Sequence, residues 1–234
     1  MKFKSQYSLF LLGLLAFASC KKDNYDAPSS QFTAQLVYQG EPLGFENYRV
    51  SYELYQPGFG KIGPIGSAFN QEGQAQALLF NGNYKMIVPS GQGPFLWPKN
   101  GSGAPDSMAI AINGSLNMNI EVQPFYMLRS VAITGTSTAI GASFNLEQVV
   151  TGADAKNIEE VGLFVNRTAI VAPCDFKLSE ARVRGADLPC LTNITLSAST
   201  PSVTPAQNYM FARVGVKFEG VEDWLYSQVQ KIEY

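Results

Sequence analysis

The sequence predicts an all-β protein built from two antiparallel β-sandwich domains in tandem. Short alternating or apolar runs, bounded by Gly, Pro, Asn and Ser, recur along the chain, and this is the pattern of strands separated by turns. No segment shows a sustained apolar stripe with the helical period of about 3.6 residues. The chain has 234 residues, whereas one sandwich takes about 100. Strands at this spacing without long helices are typical of antiparallel sandwiches.

The predicted strands fall into two series. In the first half they are residues 32–38, 49–55, 75–80, 84–88, 109–112 and 116–122. In the second half they are residues 130–134, 139–146, 160–165, 193–198, 209–218 and 225–232. Pro124 ends the first series, and the charge density rises after it. Residues 31–123 carry 4 Lys and Arg with 6 Asp and Glu, whereas residues 124–234 carry 9 and 11. We therefore predict domains at 31–123 and 124–234.

Residues 1–19 are predicted to be a secretory signal peptide. Lys2 and Lys4 form a short basic region, an apolar run covers residues 9–17, and two small residues precede Cys20. This succession is the one that signal peptides share. The apolar run is too short for a transmembrane helix, which needs about 20 apolar residues.

The segment 17–20 (FASC) resembles the bacterial lipobox, in which an acylated cysteine follows the cleavage site. The resemblance implies that Cys20 is lipidated and anchors the chain through its acyl chains. Phe17 stands where the lipobox usually has Leu, so the position stays apolar. Residues 20–30 are then the lipidated Cys and a polar, flexible tether. The charges after Cys20 resemble signals that send lipoproteins to the outer face of the outer membrane. The alternative is an ordinary signal peptide followed by a chance cysteine.

Composition and charge exclude several classes of function. The net charge of −2 argues against nucleic-acid binding, which needs clustered Lys and Arg. The chain has no histidine, which removes Ser-His-Asp triads, Cys-His dyads and His-ligated zinc. Residues 58–63 match GxGxxG, but that fingerprint needs a helix directly after it, and Pro64 follows instead. We therefore predict no enzyme and no cofactor.

No metal site is predicted either. Glu219, Glu222 and Asp223 form an acidic cluster beside Trp224, and such oxygens are the ligands that Ca²⁺ takes. We interpret this cluster as a solvated turn, with a calcium site as the alternative.

Two local signatures carry a family resemblance. In the first half, the turn at residues 79–86 (LFNGNYKM) enters a strand, and residues 32–43 hold a strand followed by a Gly-Glu-Pro-Leu turn. Together they resemble the transthyretin-like, carboxypeptidase-regulatory-like sandwich. In the second half, residues 209–216 (YMFARVGV) resemble the F strand of an Ig-like or fibronectin-type domain. Tyr209 stands at the position of a tyrosine corner.

The arrangement as a whole resembles a family of outer-membrane lipoproteins of unknown function. Genes of that family often accompany a SusC/SusD-like pair, a TonB-dependent transporter with its lipoprotein lid. The resemblance implies a transthyretin-like domain at 31–123, an Ig-like domain at 124–234, and localisation in the outer membrane facing the cell exterior. It implies an accessory role in nutrient uptake with the SusC/SusD-like pair as partner, and it brings no catalytic residues.

The loop at residues 91–101 is the first candidate for ligand binding. The candidate ligand-binding residues are Phe95, Trp97, Phe59, Gln92 and Asn100. Aromatic rings on a loop can stack on the C–H faces of sugars, and the amides can bind hydroxyl groups. Loops carry function more often than strands do. The alternative is that the loop folds back and its two rings plug the end of the sandwich. Phe59 lies in a second Gly/Pro-rich loop and is a weaker candidate.

Two modifications are also predicted. Cys174 and Cys190 are separated by 16 positions in a chain predicted to be exported, where disulfides form. A bond between them would contribute about 3 kcal/mol, and the alternative is two buried free thiols. Ser107 lies in an Asp-Ser-Met triplet that resembles the O-glycosylation motif of some gut anaerobes.

The sequence leaves two functions open. The first is a non-catalytic accessory component that binds a glycan or a peptide for a SusC/SusD-type nutrient importer. The second is a structural or docking subunit of that complex without a ligand of its own, whose charge-poor first half contacts the transporter pair.

Overall fold

The computed structural model describes residues 26–58 and 63–234. This part of the chain is almost entirely β-structure, with two single 3₁₀ turns at Gly152–Asp154 and Gly185–Asp187, and the all-β prediction is confirmed. No helix within these residues is long and apolar enough to cross a membrane. The predicted signal peptide, the predicted lipidation site Cys20 and the candidate Phe59 lie outside the described residues.

The strands follow one another in two series. The N-terminal strands are β1 (Ser30–Tyr38), β2 (Glu41–Pro42), β3 (Ser51–Tyr55), β4 (Ile65–Ala68), β5 (Gln74–Leu79), β6 (Gly82–Ile87), β7 (Phe95–Leu96), β8 (Met108–Ile112), β9 (Leu116–Glu121) and β10 (Gln123–Pro124). The C-terminal strands are β11 (Tyr126–Gly135), β12 (Ala139–Gln148), β13 (Ile158–Asn166), β14 (Ser179–Arg184), β15 (Ile194–Ser199), β16 (Tyr209–Phe218), β17 (Leu225–Tyr226) and β18 (Gln230–Glu233).

The N-terminal sandwich packs two sheets around an apolar core. One sheet has the order β2-β1-β5 with β9 also paired to β1, and the other has the order β4-β3-β6-β8. Phe32, Ala34 and Leu36 of β1 are fully buried, and so are Tyr52 and Leu54 of β3. They alternate with solvent-facing neighbours because successive side chains of a strand point to opposite faces of the sheet. The β1–β9 pair is parallel, which departs from the antiparallel pairing that the sequence predicts.

The C-terminal sandwich has a three-stranded and a five-stranded sheet. The first has the order β11-β12-β15, and the second has the order β14-β13-β16-β17 with β18 also paired to β16. The central strands β13 and β16 are continuous apolar runs: Leu163, Val165, Val214 and Val216 are fully buried. Strands that are covered on both faces read as such runs instead of as alternating patterns.

The two sandwiches share one hydrophobic core. At their junction the Tyr226 N–H donates to the Gly44 carbonyl oxygen at 2.9 Å. The fully buried Arg213 of β16 donates from Nη1 to the Phe45 carbonyl oxygen at 2.7 Å. Position 44 requires glycine, because an added Cβ would lie 2.7 Å from the Tyr226 carbonyl oxygen. These contacts pack the two sandwiches into one unit.

Each run of residues predicted to be a strand contains one. Several short or polar strands lie outside the predicted runs. The missed strands are β2, β4, β7, β10 and β14. The predicted run 225–232 is interrupted and forms β17 and β18. β14 (SEARVR) alternates Ser, Ala and Val with charged side chains and is only partly covered. It therefore has few of the large apolar and aromatic side chains that indicate a strand.

The predicted disulfide between Cys174 and Cys190 is wrong, because both residues are free and exposed. Cys174 lies in the connection from β13 to β14, and Cys190 follows the far end of β14. The six residues of β14 rise by about 3.3 Å each, which separates the two ends of the strand by about 20 Å. A disulfide needs Cα atoms within about 7 Å of each other. The alternative of buried thiols is also wrong.

Candidate functional site

The loop that the sequence singles out connects β6 to β8 and reaches the domain junction. Its short strand β7 pairs with β10, with Phe95 opposite Pro124 and Leu96 opposite Gln123. β10 is the last N-terminal strand before β11 begins the second sandwich. The pairing therefore fixes the loop against the segment that joins the two domains.

Phe95 and Trp97 do not form the exposed aromatic platform that the sequence predicts. Phe95 is 4% exposed and packs against Phe45, with 5.7 Å between ring centroids. Trp97 is 9% exposed, and its Nε1 donates to the Asp106 carbonyl oxygen at 2.8 Å. Both rings extend the shared core, because burying a large aromatic surface is more favourable than leaving it in water. The alternative stated above, in which the loop folds back and its rings are buried, describes the structure.

Gln92 and Asn100 hold the loop in shape. Gln92 Oε1 accepts hydrogen bonds from the backbone N–H and the hydroxyl of Ser51, both at 3.0 Å. Asn100 Oδ1 accepts from the backbone N–H groups of Ser102 and Ala104 at 3.0 and 3.2 Å, a pattern by which Asn stabilises turns. The side-chain oxygens of Gln92 and Asn100 therefore accept hydrogen bonds within the protein, whereas their amide nitrogens take no part in these bonds.

A cleft of about 310 Å³ opens where this loop meets the second sandwich, and we call it the junction cleft. Its lining includes Gln92, Phe95 and Trp97 from the loop, together with Lys156 and Val221 from the C-terminal domain. Three of the five candidate residues therefore meet in one place. The two rings are almost fully buried, and Gly91 and Gly93 of the loop also line the cleft.

Two lysines give the junction cleft a positive rim. Lys99 on the loop and Lys156 before β13 both line it. Neither forms an ion pair with any residue in the described ranges. Their ammonium groups are thus available as donors to a bound molecule, since each carries three N–H bonds and no acceptor.

A buried carboxylate ties the loop to the C-terminal domain. Asp223 Oδ2 accepts a hydrogen bond from the Gly93 backbone N–H at 2.8 Å. Burial raises the pKa of Asp223, and this hydrogen bond partly offsets the increase. Asp223 therefore fixes the position of the loop. Among the described residues no group of three or more His, Cys, Asp or Glu is placed to hold a metal ion.

The remaining candidates keep their status as predictions. Ser107 is exposed beside Asp106, whose carboxylate accepts the Ser107 backbone N–H at 2.8 Å, so its hydroxyl is accessible to modification. Lys156 and Val221 were missed by the sequence analysis. They are distant in sequence from the loop and no local motif marks them; only the packing of the two domains brings them to it.

The fold and this geometry define a class: a two-domain β-sandwich protein with a shared core and a cleft at the domain junction. Residues 126–231 match the family described as "Domain of unknown function (DUF3823_C)". Residues 30–123 match the "Protein of unknown function (DUF3823) N-terminal domain". The chain belongs to the DUF3823 family. No curated protein matches it.

Solved structures similar to this chain include DUF3823 family proteins from two bacteria. The one from Parabacteroides merdae is 30% identical with a TM-score of 0.74, and the match covers 89% of this chain and 100% of that one. The one from Bacteroides ovatus is 26% identical with a TM-score of 0.74, covering 88% and 99%. A Bacteroides uniformis protein described as a "putative carbohydrate binding protein" shares the fold at 15% identity and a TM-score of 0.63, covering 89% and 100%.

Proposed function

We propose that this chain is a non-catalytic lipoprotein that binds a glycan in the junction cleft. The observation that carries the proposal is the lining of the cleft: Lys99 and Lys156, which have no ion-pair partner among the described residues, together with Gln92, the glycine-rich loop and two largely buried aromatic side chains. Ligand sites are concave and combine apolar surface with a few polar groups that fix orientation. The Bacteroides uniformis protein with the same fold, described as a "putative carbohydrate binding protein", supports a glycan over a peptide.

The proposed location is the outer face of the outer membrane. The support is the lipobox-like segment that ends at Cys20, since several acyl chains on one residue are enough for stable anchoring. A Cys20→Ala variant expressed in the native host is expected to lose incorporation of labelled palmitate and to leave the membrane fraction. Protease added to intact cells is expected to digest the wild-type protein. Wild-type protein that carries no palmitate would contradict the anchoring, and protein that resists the protease would contradict the outer face.

The proposed partner is a SusC/SusD-like transporter pair. A docking role is supported by exposed apolar side chains on the connection from β13 to β14: Ile170, Phe176 and Leu178 are 37%, 45% and 49% exposed. Exposed apolar clusters of this kind mark interaction surfaces. Crosslinking in the native host is expected to capture the pair, and a Phe176→Ser/Leu178→Ser variant is expected to reduce the yield. Capture of neither transporter component would contradict this partner.

Binding in the cleft is tested by affinity electrophoresis of the mature chain in gels that contain polysaccharides. A Lys99→Ala/Lys156→Ala variant is expected to lose about tenfold or more in affinity, because two charged hydrogen-bond donors are removed. The matched control is Lys85→Ala/Lys231→Ala, which removes two exposed lysines outside the cleft. Equal affinity of the cleft variant and its control would contradict the assignment of the site.

A further inference from the structure

The outer face of the β1 sheet carries an unusual set of side chains, away from the junction cleft. Six of the outward positions of β5, β1 and β9 are polar: Gln74, Gln76, Thr33, Gln35, Asn117 and Asn119. We call this set the amide face. It comprises five amides and one hydroxyl, all uncharged. Five of these six side chains line a shallow groove of about 490 Å³ together with Met118.

The strand register arranges these side chains in two rows. Thr33 lies opposite Gln76 on one side and Asn117 on the other. Gln35 lies opposite Gln74 and Asn119 in the same way. Neighbouring strands are about 4.8 Å apart, and alternate residues of one strand about 6.8 Å apart. Polar groups therefore recur at short, regular intervals across three strands.

Much of the hydrogen-bonding capacity of this face is unused within the chain. Thr33, Asn117 and Asn119 have no side-chain hydrogen bond to any residue in the described ranges. The amides of β5 are linked to each other, with Gln76 Nε2 donating to Gln74 Oε1 at 3.1 Å. Gln35 is anchored by a bond from Nε2 to the Glu72 carbonyl oxygen at 2.8 Å. The β9 edge therefore offers donors and acceptors to a ligand, while the β5 edge is held in place.

Apolar side chains lie at one end of the amide face. Leu78 follows Gln76 on the same face of β5 and is 60% exposed, and Phe80 just beyond the strand is 42% exposed. At the opposite end, Glu121 of β9 accepts a hydrogen bond from the Gln39 backbone N–H. The Glu121 carboxylate is therefore already engaged with the backbone.

We infer that the amide face is a second binding surface, and that it takes a neutral glycan chain. An amide carries both a donor and an acceptor, as a sugar hydroxyl does, and the exposed Phe80 can cover the apolar side of a sugar ring. A charged ligand would find no counter-charge among the six side chains. A protein partner would need an apolar interface centre with aromatic side chains, which the two polar rows do not supply. The ligand class follows from the proposed function, but the surface is separate from the junction cleft.

The test is affinity electrophoresis of the mature chain in gels that contain neutral polysaccharides: amylopectin, dextran, yeast mannan, galactan and xyloglucan. Polygalacturonate is the acidic comparison. A Gln76→Ala/Asn117→Ala/Asn119→Ala variant is expected to weaken binding to the retarding neutral polysaccharide about tenfold or more, because three hydrogen-bonding groups are lost. Asn117→Asp/Asn119→Asp keeps the side-chain shape, adds charge, and is expected to weaken binding as well.

The matched control removes three exposed amides from other surfaces, Asn83→Ala/Gln123→Ala/Gln228→Ala. Full affinity of this control and of Lys99→Ala/Lys156→Ala, together with loss in the amide-face variants, supports the inference. Neutral binding that is lost only in the cleft variant would overturn the amide face and leave the proposed function standing. Binding to polygalacturonate alone, if it is lost in Lys99→Ala/Lys156→Ala, would also overturn the amide face and leave the proposed function standing. No retardation in any gel would overturn both.

Discussion

The exposed faces of the two sandwiches use polar side chains in opposite ways. On the C-terminal sheet, Arg182 of β14 pairs with Glu160 at 2.8 Å and with Glu180 at 2.7 Å. Its guanidinium also lies 5.2 Å from the Phe164 ring centroid and 5.5 Å from that of Trp224. The amide face of the N-terminal sheet is uncharged and leaves polar groups without an intramolecular partner. A satisfied polar face thus serves stability, whereas an unsatisfied neutral one is available for a ligand.

The largest effect is expected at the domain junction, where Arg213 joins the two sandwiches. We expect Arg213→Ala to lower the free energy of unfolding by about 2–4 kcal/mol, because it leaves a cavity beside Tyr226 and deprives the Phe45 carbonyl of its donor. Urea denaturation measures the loss. Arg184→Ala, at an exposed position, is the control and should stay within about 0.5 kcal/mol. Equal stability of the two variants would refute the shared core.

The burial of the Arg213 guanidinium is nevertheless energetically unfavourable. Burial lowers its pKa to about 10, so it is charged at neutral pH, and its Nε and Nη2 find no hydrogen-bond partner in the described part of the chain. Its guanidinium lies 3.7 Å from the Tyr226 ring centroid. Arg213→Met keeps much of the volume and removes the charge, and should therefore lose less stability than Arg213→Ala.

A second prediction separates the two faces directly. Arg182→Ala should destabilise the protein by about 1 kcal/mol, through lost ion pairs and cation–π contacts, with no change in polysaccharide affinity. Asn117→Ala/Asn119→Ala should do the reverse: unchanged stability within about 0.5 kcal/mol and weaker binding. Thermal unfolding and affinity electrophoresis on the same samples measure both. If both variants change the same property, the distinction between the faces fails.

A third prediction concerns Asp223, which holds the loop of the junction cleft. Because burial raises its pKa above the ordinary 3.8, the folded state binds this proton more tightly than the unfolded state does. The resulting stabilisation is present below pH 3.8 and is lost as the pH rises through the folded pKa. Asp223→Asn can still accept from Gly93 through its amide oxygen. We therefore expect the variant to gain stability relative to wild type between pH 3.5 and pH 6.5, measured by urea denaturation; a constant difference would contradict the burial of a charge.

The smallest effect is expected for the cysteines. Since Cys174 and Cys190 are free and exposed, Cys174→Ser/Cys190→Ser should unfold within about 0.5 kcal/mol of wild type. A disulfide would make the loss about 3 kcal/mol. Mass spectrometry of the unreduced protein should find two reactive thiols at these positions. A bonded pair in the purified protein would contradict the free, exposed state of the two cysteines.

The sequence predicted the fold well because strand periodicity is a local property. The alternating run at residues 32–38 was predicted as a strand, and β1 covers it. The burial of Trp97 could not be predicted from a local pattern, because a Gly/Pro-rich loop has the same composition whether it projects into solvent or folds back. The contact between Gly93 and Asp223 joins residues far apart in sequence, and no local pattern reports such a pair.

The amide face was accessible to sequence reasoning in one respect. Gln31, Thr33 and Gln35 alternate with apolar residues along β1, which marks them as outward-facing. Their neighbours Asn117 and Asn119 join them only through the parallel pairing of β1 with β9. Because the sequence analysis expected antiparallel pairing, it could not predict that Asn117 and Asn119 lie beside Thr33 and Gln35.

Ligand binding by the amide face is tested most directly by an NMR titration of the mature chain with the polysaccharide that retards it most in electrophoresis. The signals of the side-chain NH₂ groups of Asn117 and Asn119 and of the Arg182 Nε–H are followed together. We expect the two asparagine signals to shift in proportion to binding while the arginine signal stays in place. Saturating binding that moves the Arg182 signal, and leaves both asparagine signals unchanged, would contradict ligand binding by the amide face.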